Sequence, residues 1–212
     1  MKRLSETYNA KSFPERYDTL PGRIMLDTNV VQYLLDFGEF IFEGYVEGDD
    51  GFVTPRGRVI RPDSRLFEEI EALHRIFVRI NNAQFEFAVC GQTLVELSDR
   101  SDPERRSAMR WFYDLLDHWE AVVEAYGRSF PAAAAERYWR ARADPYLANN
   151  VQKKDRNVVL EAIRFDCRAV LTVDRLATPA TQRHFFDRYQ LMILWPSDFI
   201  SMLAPFQALY NG

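Results

Sequence analysis

The sequence has few residues of the kinds that bind zinc or form disulfide bonds. It contains only two cysteines, Cys90 and Cys167, and three histidines, at positions 74, 118 and 184. Two cysteines cannot build a disulfide framework or a four-thiolate zinc site, and the histidines do not have the spacing of metal ligands. These shortages exclude a disulfide-stapled secreted domain and a zinc finger, and we expect a reducing compartment.

Long apolar segments and glycine-rich phosphate loops are also missing. The longest apolar run, residues 191–195, is far shorter than the roughly 20 residues that cross a membrane. Residues 1–13 carry charges but lack the apolar core of a signal peptide. Neither GxxxxGK[ST] nor GxGxxG occurs, which disfavours an NTPase or a Rossmann dehydrogenase. We therefore expect a cytoplasmic protein with no membrane segment.

The chain has no large excess of charge of either sign. Its 27 Lys and Arg stand against 31 Asp and Glu, for a net charge of −4. A protein that coats DNA needs a basic face, so this class is disfavoured. The 212 residues are 47% hydrophobic and 14% aromatic, which is enough apolar material for the core of one folded domain.

Three segments stand apart from the regular alternation of the chain. Residues 1–22 are polar, are interrupted by proline and glycine, and are predicted to be an N-terminal arm. Residues 38–62 are rich in glycine and acids and contain two short β-type runs, which predicts a loop insertion with a small hairpin. Residues 103–142 have helical periodicity and predict a helical insertion, which is either a lid or a dimer surface.

In the rest of the chain, short apolar runs alternate with amphipathic patterns of helical period. Strands are predicted at residues 23–26, 85–90, 169–173 and 191–195, and helices at about 30–37, 65–80, 103–127, 131–142, 155–165 and 179–189 and from 91 and 196 onward. Strands that alternate with helices indicate an α/β fold whose parallel sheet is covered on both faces.

Two aspartates end predicted strands. Asp27 follows the run 23–26, and Asp174 follows 169–173. Ligands of open parallel sheets bind beyond the carboxyl ends of the strands, so both carboxylates face one crevice if their strands are neighbours. The alternative is that each aspartate is only a helix cap, although the cap predicted for the helix after Asp27 is Thr28 or Asn29.

Two further acids are expected at the same edge. Apolar residues follow Asp155 at spacings of three, four, seven and eight, so Asp155 heads the buried stripe of its helix. Glu96 lies in the first turns of the helix after the predicted strand 85–90. The competing interpretation of Asp155 is a first-turn acid favoured by the helix dipole.

Four carboxylates in one crevice repel one another and would become protonated unless a cation is present. Oxygen ligands without nearby histidine or cysteine suit Mg²⁺ or Mn²⁺. Such ions activate water and stabilise the leaving oxygen of a phosphodiester. The acids therefore suggest metal-assisted hydrolysis of a phosphodiester.

Four short stretches that contain these acids resemble the motifs of PIN-domain proteins and occur in the order of that family. They are residues 24–30 (IMLDTNV), 93–97 (TLVEL), 155–162 (DRNVVLEA) and 171–174 (LTVD), and the closing strand 191–195 followed by Pro196 and Ser197 also fits. The resemblance implies a three-layer α/β/α sandwich, bound Mg²⁺ or Mn²⁺, and ribonuclease activity. Many compact members are toxins, which implies an antitoxin protein as a partner.

On the pattern of the family, the carboxylates of Asp27, Glu96, Asp155 and Asp174 would bind metal and act in catalysis. Asn29 and Thr172 would orient these carboxylates. The cations next to Asp155, which are Lys153, Lys154 and Arg156, are candidates to hold phosphates of an RNA substrate. A catalytically weak PIN-like module that binds RNA or protein and a structure-specific DNA nuclease are the alternatives, and a homodimer is left open.

Overall fold

A computed structural model of the chain describes residues 20–43, 52–53, 59–79, 85–98, 103–126 and 132–209. Within these residues the strands are β1 (Arg23–Leu26), β2 (Phe52–Val53), β3 (Val59–Ile60), β4 (Glu86–Val89), β5 (Ala169–Leu171) and β6 (Met192–Leu194). The α-helices are α1 (Thr28–Asp36), α2 (Gly38–Glu43), α3 (Arg65–His74), α4 (Gly91–Ser98), α5 (Pro103–Tyr126), α6 (Ala132–Arg142), α7 (Pro145–Asn150), α8 (Lys153–Arg164), α9 (Pro179–Tyr189) and α10 (Pro196–Leu203).

Shorter helical segments extend this framework. A π-helical turn, Arg75–Arg79, continues α3, and two 3-10 segments cover Arg175–Ala177 and Ala204–Leu209. In the described part of the chain, no helix is both long enough and apolar enough to cross a membrane.

Strands β1, β4, β5 and β6 form one sheet in which all neighbours are parallel. Their order across the sheet is β4-β1-β5-β6. Leu26 lies opposite Val89 on one side and Leu171 on the other. The predicted α/β fold with a parallel sheet is therefore confirmed, and the two strands that precede the predicted aspartates are neighbours.

Helices cover both faces of this sheet. Successive side chains of a strand point to opposite faces, and apolar side chains on both faces need helices to pack against. Ile24 and Leu26 belong to a core cluster with residues of α1, α3, α4 and α10. Met25, which lies between them, belongs to a second cluster with residues of α8 and α9. Full burial of each such side chain contributes roughly 1.5–3 kcal/mol to folding. The result is the three-layer α/β/α sandwich that the family resemblance implies.

Helix α5 packs against β4, the strand at one edge of the sheet. Phe112 belongs to the first core cluster and Trp119 to the second, so this helix contributes to both faces. The indole Nε1 of Trp119 donates a hydrogen bond to the carbonyl oxygen of Phe87, 2.9 Å away. The first helix of the segment 103–142 thus covers an edge strand whose backbone groups would otherwise lack partners.

Two helices were not expected from the sequence. The segment 38–62, predicted as a loop with a hairpin, begins with α2, whose Ile41 is fully buried. Six residues among glycines and acids are too few to show a helical period. Helix α7 was also missed, although Asp144 followed by Pro145 is a helix-start signal.

The predicted hairpin is confirmed by the antiparallel pairing of β2 with β3. Its tip, residues 54–58, lies outside the described residues, as do residues 1–19 of the predicted N-terminal arm.

A buried aspartate, Asp144, connects the start of α7 to α9 through hydrogen bonds. Asp144 caps α7, since its Oδ1 accepts a hydrogen bond from the backbone N of Tyr146 at 2.9 Å. Its Oδ2 accepts from the hydroxyl of Tyr189 at 2.5 Å and lies 2.7 Å from Nε2 of His184. Burial tends to raise the pKa of Asp144, but these hydrogen bonds outweigh burial and hold the pKa below its usual range.

We expect Asp144→Ala to lower the free energy of unfolding by about 2–4 kcal/mol, because each buried donor left without an acceptor costs about 1–3 kcal/mol. Urea unfolding at neutral pH measures this difference. Asp187→Ala, at an exposed position of α9, is the matched control and should change stability by less than about 0.5 kcal/mol.

The loss of stability caused by Asp144→Ala is also expected to depend on pH. The folded pKa of Asp144 lies below the unfolded value of about 3.9, so its contribution is complete above that value. The contribution is lost as the pH falls through the folded pKa. The stability gap between the natural chain and Asp144→Ala should therefore narrow below about pH 4. A gap that widens toward low pH would contradict this account.

Candidate functional site

The path of the chain creates a crevice between β1 and β5. After β1 the chain continues to β4 on one side, and after β5 it continues to β6 on the other. The segments that leave these neighbouring strands therefore diverge, and open parallel sheets bind ligands at such a switch point. Asp27 directly follows β1, and Asp174 lies shortly after β5.

Asp27 is buried and held in one orientation at the end of β1. Its backbone N donates to the carbonyl oxygen of Leu171 at 3.0 Å, which continues the pairing of β1 with β5. Its carboxylate Oδ2 accepts a hydrogen bond from the hydroxyl of Thr172 at 2.7 Å. Its Oδ1 accepts from the backbone N of Thr28, also at 2.7 Å.

The bond from Thr28 makes Asp27 itself the N-cap of α1. The prediction that Thr28 or Asn29 caps this helix was wrong, because the helix begins directly after the aspartate that ends the strand. Asp27 therefore belongs both to the crevice and to the start of a core helix.

The environment of Asp27 disfavours an isolated negative charge. The side chain is 4% exposed, and burial is the main reason why the pKa of Asp27 rises to about 6. Hydrogen bonds from Thr172 and Thr28 oppose this rise, and the charges of Asp155 and Asp174 add to it. A cation in the crevice would offset both burial and repulsion, so the site is electrostatically suited to one.

Thr172 connects the two strand-end aspartates. Its hydroxyl donates to Asp27 and accepts from the backbone N of Asp174 at 3.2 Å. The Oδ2 of Asp174 accepts from Nδ2 of Asn29, also at 3.2 Å. Asn29 and Thr172 thus contact the carboxylates that the family resemblance implies they orient.

Asp155 and Glu96 approach the crevice from α8 and α4. Asp155 is half-buried, and its pKa is raised mainly by burial and to a smaller extent by the charges of Asp174 and Glu96. The charges of Asp155 and Asp174 likewise raise the pKa of Asp27. The structure therefore brings all four predicted acids close enough to affect one another electrostatically.

The three predicted phosphate-binding cations have different surroundings. The ammonium of Lys154 lies 3.2 Å from Oε1 of Glu96, so this lysine already neutralises one of the acids. Lys153 is exposed on the first turn of α8. Arg156 is half-buried and lines a cavity on the flank of α8.

The carboxylates do not form a preassembled coordination shell. In the residues that the structure describes, no three His, Cys, Asp or Glu side chains are placed to hold a metal ion together. The contacts account for this, because Thr172, Asn29 and Lys154 each hold a different carboxylate and the acids repel one another. The donor oxygens suit Mg²⁺ or Mn²⁺, and Lys154 would compete with such an ion for the carboxylate of Glu96.

Two further polar pairs at this edge were not found from the sequence. The hydroxyls of Thr28 and Thr93 lie 2.9 Å apart and link the starts of α1 and α4. Gln92 donates to Oε1 of Glu96 at 3.0 Å. The glutamine is four residues before the glutamate, a spacing at which helical side chains meet, so the sequence carries a signal for this pair. The threonines are 65 residues apart in sequence, and no local pattern connects them.

Comparisons of the chain with protein-family models, with curated proteins and with solved structures found no match. The resemblance to PIN-domain proteins therefore rests on the short motifs around the four acids. A functional assignment has to be argued from the geometry of the crevice.

We expect Thr172→Val to lower the free energy of unfolding by about 1–3 kcal/mol, because the buried carboxylate of Asp27 loses a donor that its neighbours cannot replace. Thr172→Ser keeps the hydroxyl and removes one methyl group, so it should cost about 1 kcal/mol or less. Denaturant unfolding at pH 8, where Asp27 is ionised, compares the two. A loss in the valine variant no larger than in the serine variant would contradict this role of the hydroxyl.

Proposed function

We propose that this protein is a metal-dependent endoribonuclease that hydrolyses phosphodiester bonds of RNA at the crevice between β1 and β5. The observation that carries the proposal is the convergence of Asp27, Glu96, Asp155 and Asp174 at the switch point of the sheet. These acids come from four separate segments of the chain, and their mutual repulsion weakens the fold. A site that binds divalent cations explains why they lie together.

The roles proposed for the residues follow from their surroundings. Asp27 would hold the ion from the buried side, and Asp174 from the exposed rim. A bound Mg²⁺ or Mn²⁺ supplies positive charge that activates water and stabilises the leaving oxygen of a phosphodiester. Thr172 and Asn29 fix the orientation of the two aspartates before the substrate arrives, which is what outer contacts of metal ligands contribute.

The resemblance to PIN-domain proteins supports the same reaction. It implies water as the nucleophile and a 3′-hydroxyl as the leaving group. It also makes an antitoxin protein and a second copy of the chain candidate partners. Lys153 and Arg156, which flank Asp155 on α8, are the cations that we propose contact substrate phosphates.

A catalytically weak module that binds RNA or protein is the second candidate. The observation that favours it is the ion pair between Glu96 and Lys154, because a lysine that neutralises an acid takes the place of a metal. The two candidates differ in turnover and in the response to divalent cations, and both differences can be measured.

The proposal predicts cleavage of structured RNA by the purified protein with Mn²⁺ or Mg²⁺, abolished by EDTA. Asp27→Asn and Asp155→Asn should each reduce cleavage at least about 10-fold, because a lost ligand costs no less than a lost outer contact. Gel analysis of an RNA pool measures this, with single-stranded and duplex DNA in parallel.

Asp187→Asn is the matched control for the cleavage assay. Helix α9 connects β5 to the parallel strand β6, so its last turn lies at the edge of the sheet away from the crevice. This variant should cleave like the natural chain. Cleavage that survives both crevice variants would refute the proposed site, and faster cleavage of DNA would reassign the substrate.

Metal binding should be visible without turnover. Mn²⁺ at 100 times its Kd would stabilise the fold by about 2.7 kcal/mol. This corresponds to a rise in Tm of about 5–10 °C for a domain of this size. Asp27→Asn should remove most of the rise, whereas Lys154→Met should increase it, because the ion then no longer competes with a lysine for Glu96. Equal rises in all three proteins would place the metal elsewhere.

A further inference from the structure

A cavity of about 500 Å³ lies on the flank of α8, beside the acidic crevice. Residues of α6, α7 and α8 line it, together with Asp144. The lining residues of α8 are Arg156 and Asn157 in its first half and Leu160 and Glu161 in its second half. Its volume is in the range of pockets that hold small organic groups. Of the residues that line it, the proposed hydrolysis uses only Arg156, as a contact for a substrate phosphate.

The acids in the wall of the cavity are already compensated. Asp144 accepts a hydrogen bond from Tyr189 and lies 3.7 Å from Nη1 of Arg188. Glu161 lies 2.9 Å from Arg164, a cation that it shares with Glu120. Each of these two carboxylates therefore has a donor other than the arginines that line the cavity.

Two arginines face the cavity without such compensation. Neither Arg142 nor Arg156 has an acidic partner among the described residues. The guanidinium of Arg142 lies 5.5 Å from the ring centre of Trp139, a contact that leaves its charge unneutralised. A concave site with two such guanidinium groups attracts an anion, and arginine binds phosphate in bidentate fashion.

The position of the cavity connects it to the acids. Arg137, near the middle of α6, pairs with Asp166 just beyond the end of α8, whereas Arg142, at the end of α6, shares the cavity with Arg156. The two helices therefore run in opposite directions, and the open arginines lie toward the start of α8. Asp155, at that start, is the direct neighbour of Arg156.

The remaining lining residues suit the rest of a nucleotide. Tyr138 and Leu160 provide apolar surface of the kind on which a base packs, and aromatic side chains stack on bases without sequence preference. The side-chain amide of Asn157 can donate and accept hydrogen bonds with a sugar or the edge of a base. An inorganic anion would use the arginines and leave this apolar wall without a function.

We propose that this cavity binds one nucleotide of a single-stranded RNA segment, with its phosphate between Arg142 and Arg156 and its base against Tyr138. The strand then continues past the start of α8 to the four acids, a continuation that rests on the proposed function. The cavity fixes which neighbouring bond reaches the crevice.

Binding of a labelled single-stranded RNA oligonucleotide to the full chain carrying Asp27→Asn, in EDTA, tests the cavity without turnover. Arg142→Gln and Arg156→Gln should each raise the Kd about 10-fold, about 1.4 kcal/mol. Each should also lower the slope of log affinity against log salt by about 0.7. Arg140→Gln, two residues from Arg142 on the same helix, pairs with Glu136 outside the cavity and should leave the Kd within about twofold.

Competition distinguishes a nucleotide from other anions. A nucleoside 5′-monophosphate should displace the oligonucleotide at a lower concentration than inorganic phosphate, and Tyr138→Ala should remove that advantage. Equal displacement by both would overturn the assignment of a nucleotide. Oligonucleotide affinity in Arg142→Gln equal to that in Arg140→Gln would overturn the site. Arg142-dependent binding of an oligo-glutamate peptide, without Arg142-dependent binding of RNA, would assign the cavity to a protein partner and overturn the proposal.

The failures of the two proposals are distinguishable. Arginine-dependent binding without metal-dependent cleavage would leave the cavity assigned and refute hydrolysis. Cleavage that depends on Asp27 but is unaffected by Arg142→Gln and Arg156→Gln would support hydrolysis at the crevice and refute the assignment of the cavity.

Discussion

The hydrogen bond from Thr172 to Asp27 joins the central strands of the sheet at the place where their connections diverge. It lies beyond the last paired residues of β1 and β5, and the backbone bond from Asp27 to Leu171 continues the ladder up to it. Because both side chains are buried, this hydrogen bond lies in a region of low local dielectric constant, which strengthens it. The start of α1, the position of Asp174 and the floor of the crevice all depend on it.

Around this contact, the protein balances negative charge with neighbours that differ from one acid to the next. Hydroxyl and backbone donors hold Asp27, an amide holds Asp174, and a lysine holds Glu96. Of these partners only Lys154 carries a positive charge, so negative potential remains between the acids. Helix α8 then separates this negative space from the two open arginines on its flank. An RNA strand with a divalent cation carries charges that match both regions.

The strands themselves and the positions of the four acids at their ends and at the starts of helices could be predicted, because each depends on a local pattern. The order of the strands across the sheet could not, because it depends on contacts between distant segments. Buried strands are continuous apolar runs, and Asp155 heads a stripe of residues with helical spacing. Helix α2 was not predictable in this way, because one buried residue, Ile41, holds a single short helix in place. The hydroxyl pair Thr28–Thr93 and the cavity at Arg142 result from packing between separate segments of the chain. No local pattern in a single sequence indicates such packing. The cap of α1 was misassigned because Asp27 serves the strand, the helix and the crevice at once.

This threefold use of Asp27 affects how the natural variation of the chain would be interpreted. A lineage that abandoned catalysis would still retain Asp27, because the start of a core helix needs its carboxylate. Asp155 does not cap its helix. It lies inside the first turn of α8 and accepts no hydrogen bond from the described residues. Burial and the charges of neighbouring acids disfavour its ionised form. Selection for stability alone would replace it. Under the proposed function, retention of Asp155 among descendants of a common ancestor would therefore separate sites that hydrolyse RNA from sites that have lost this activity, whereas retention of Asp27 would not.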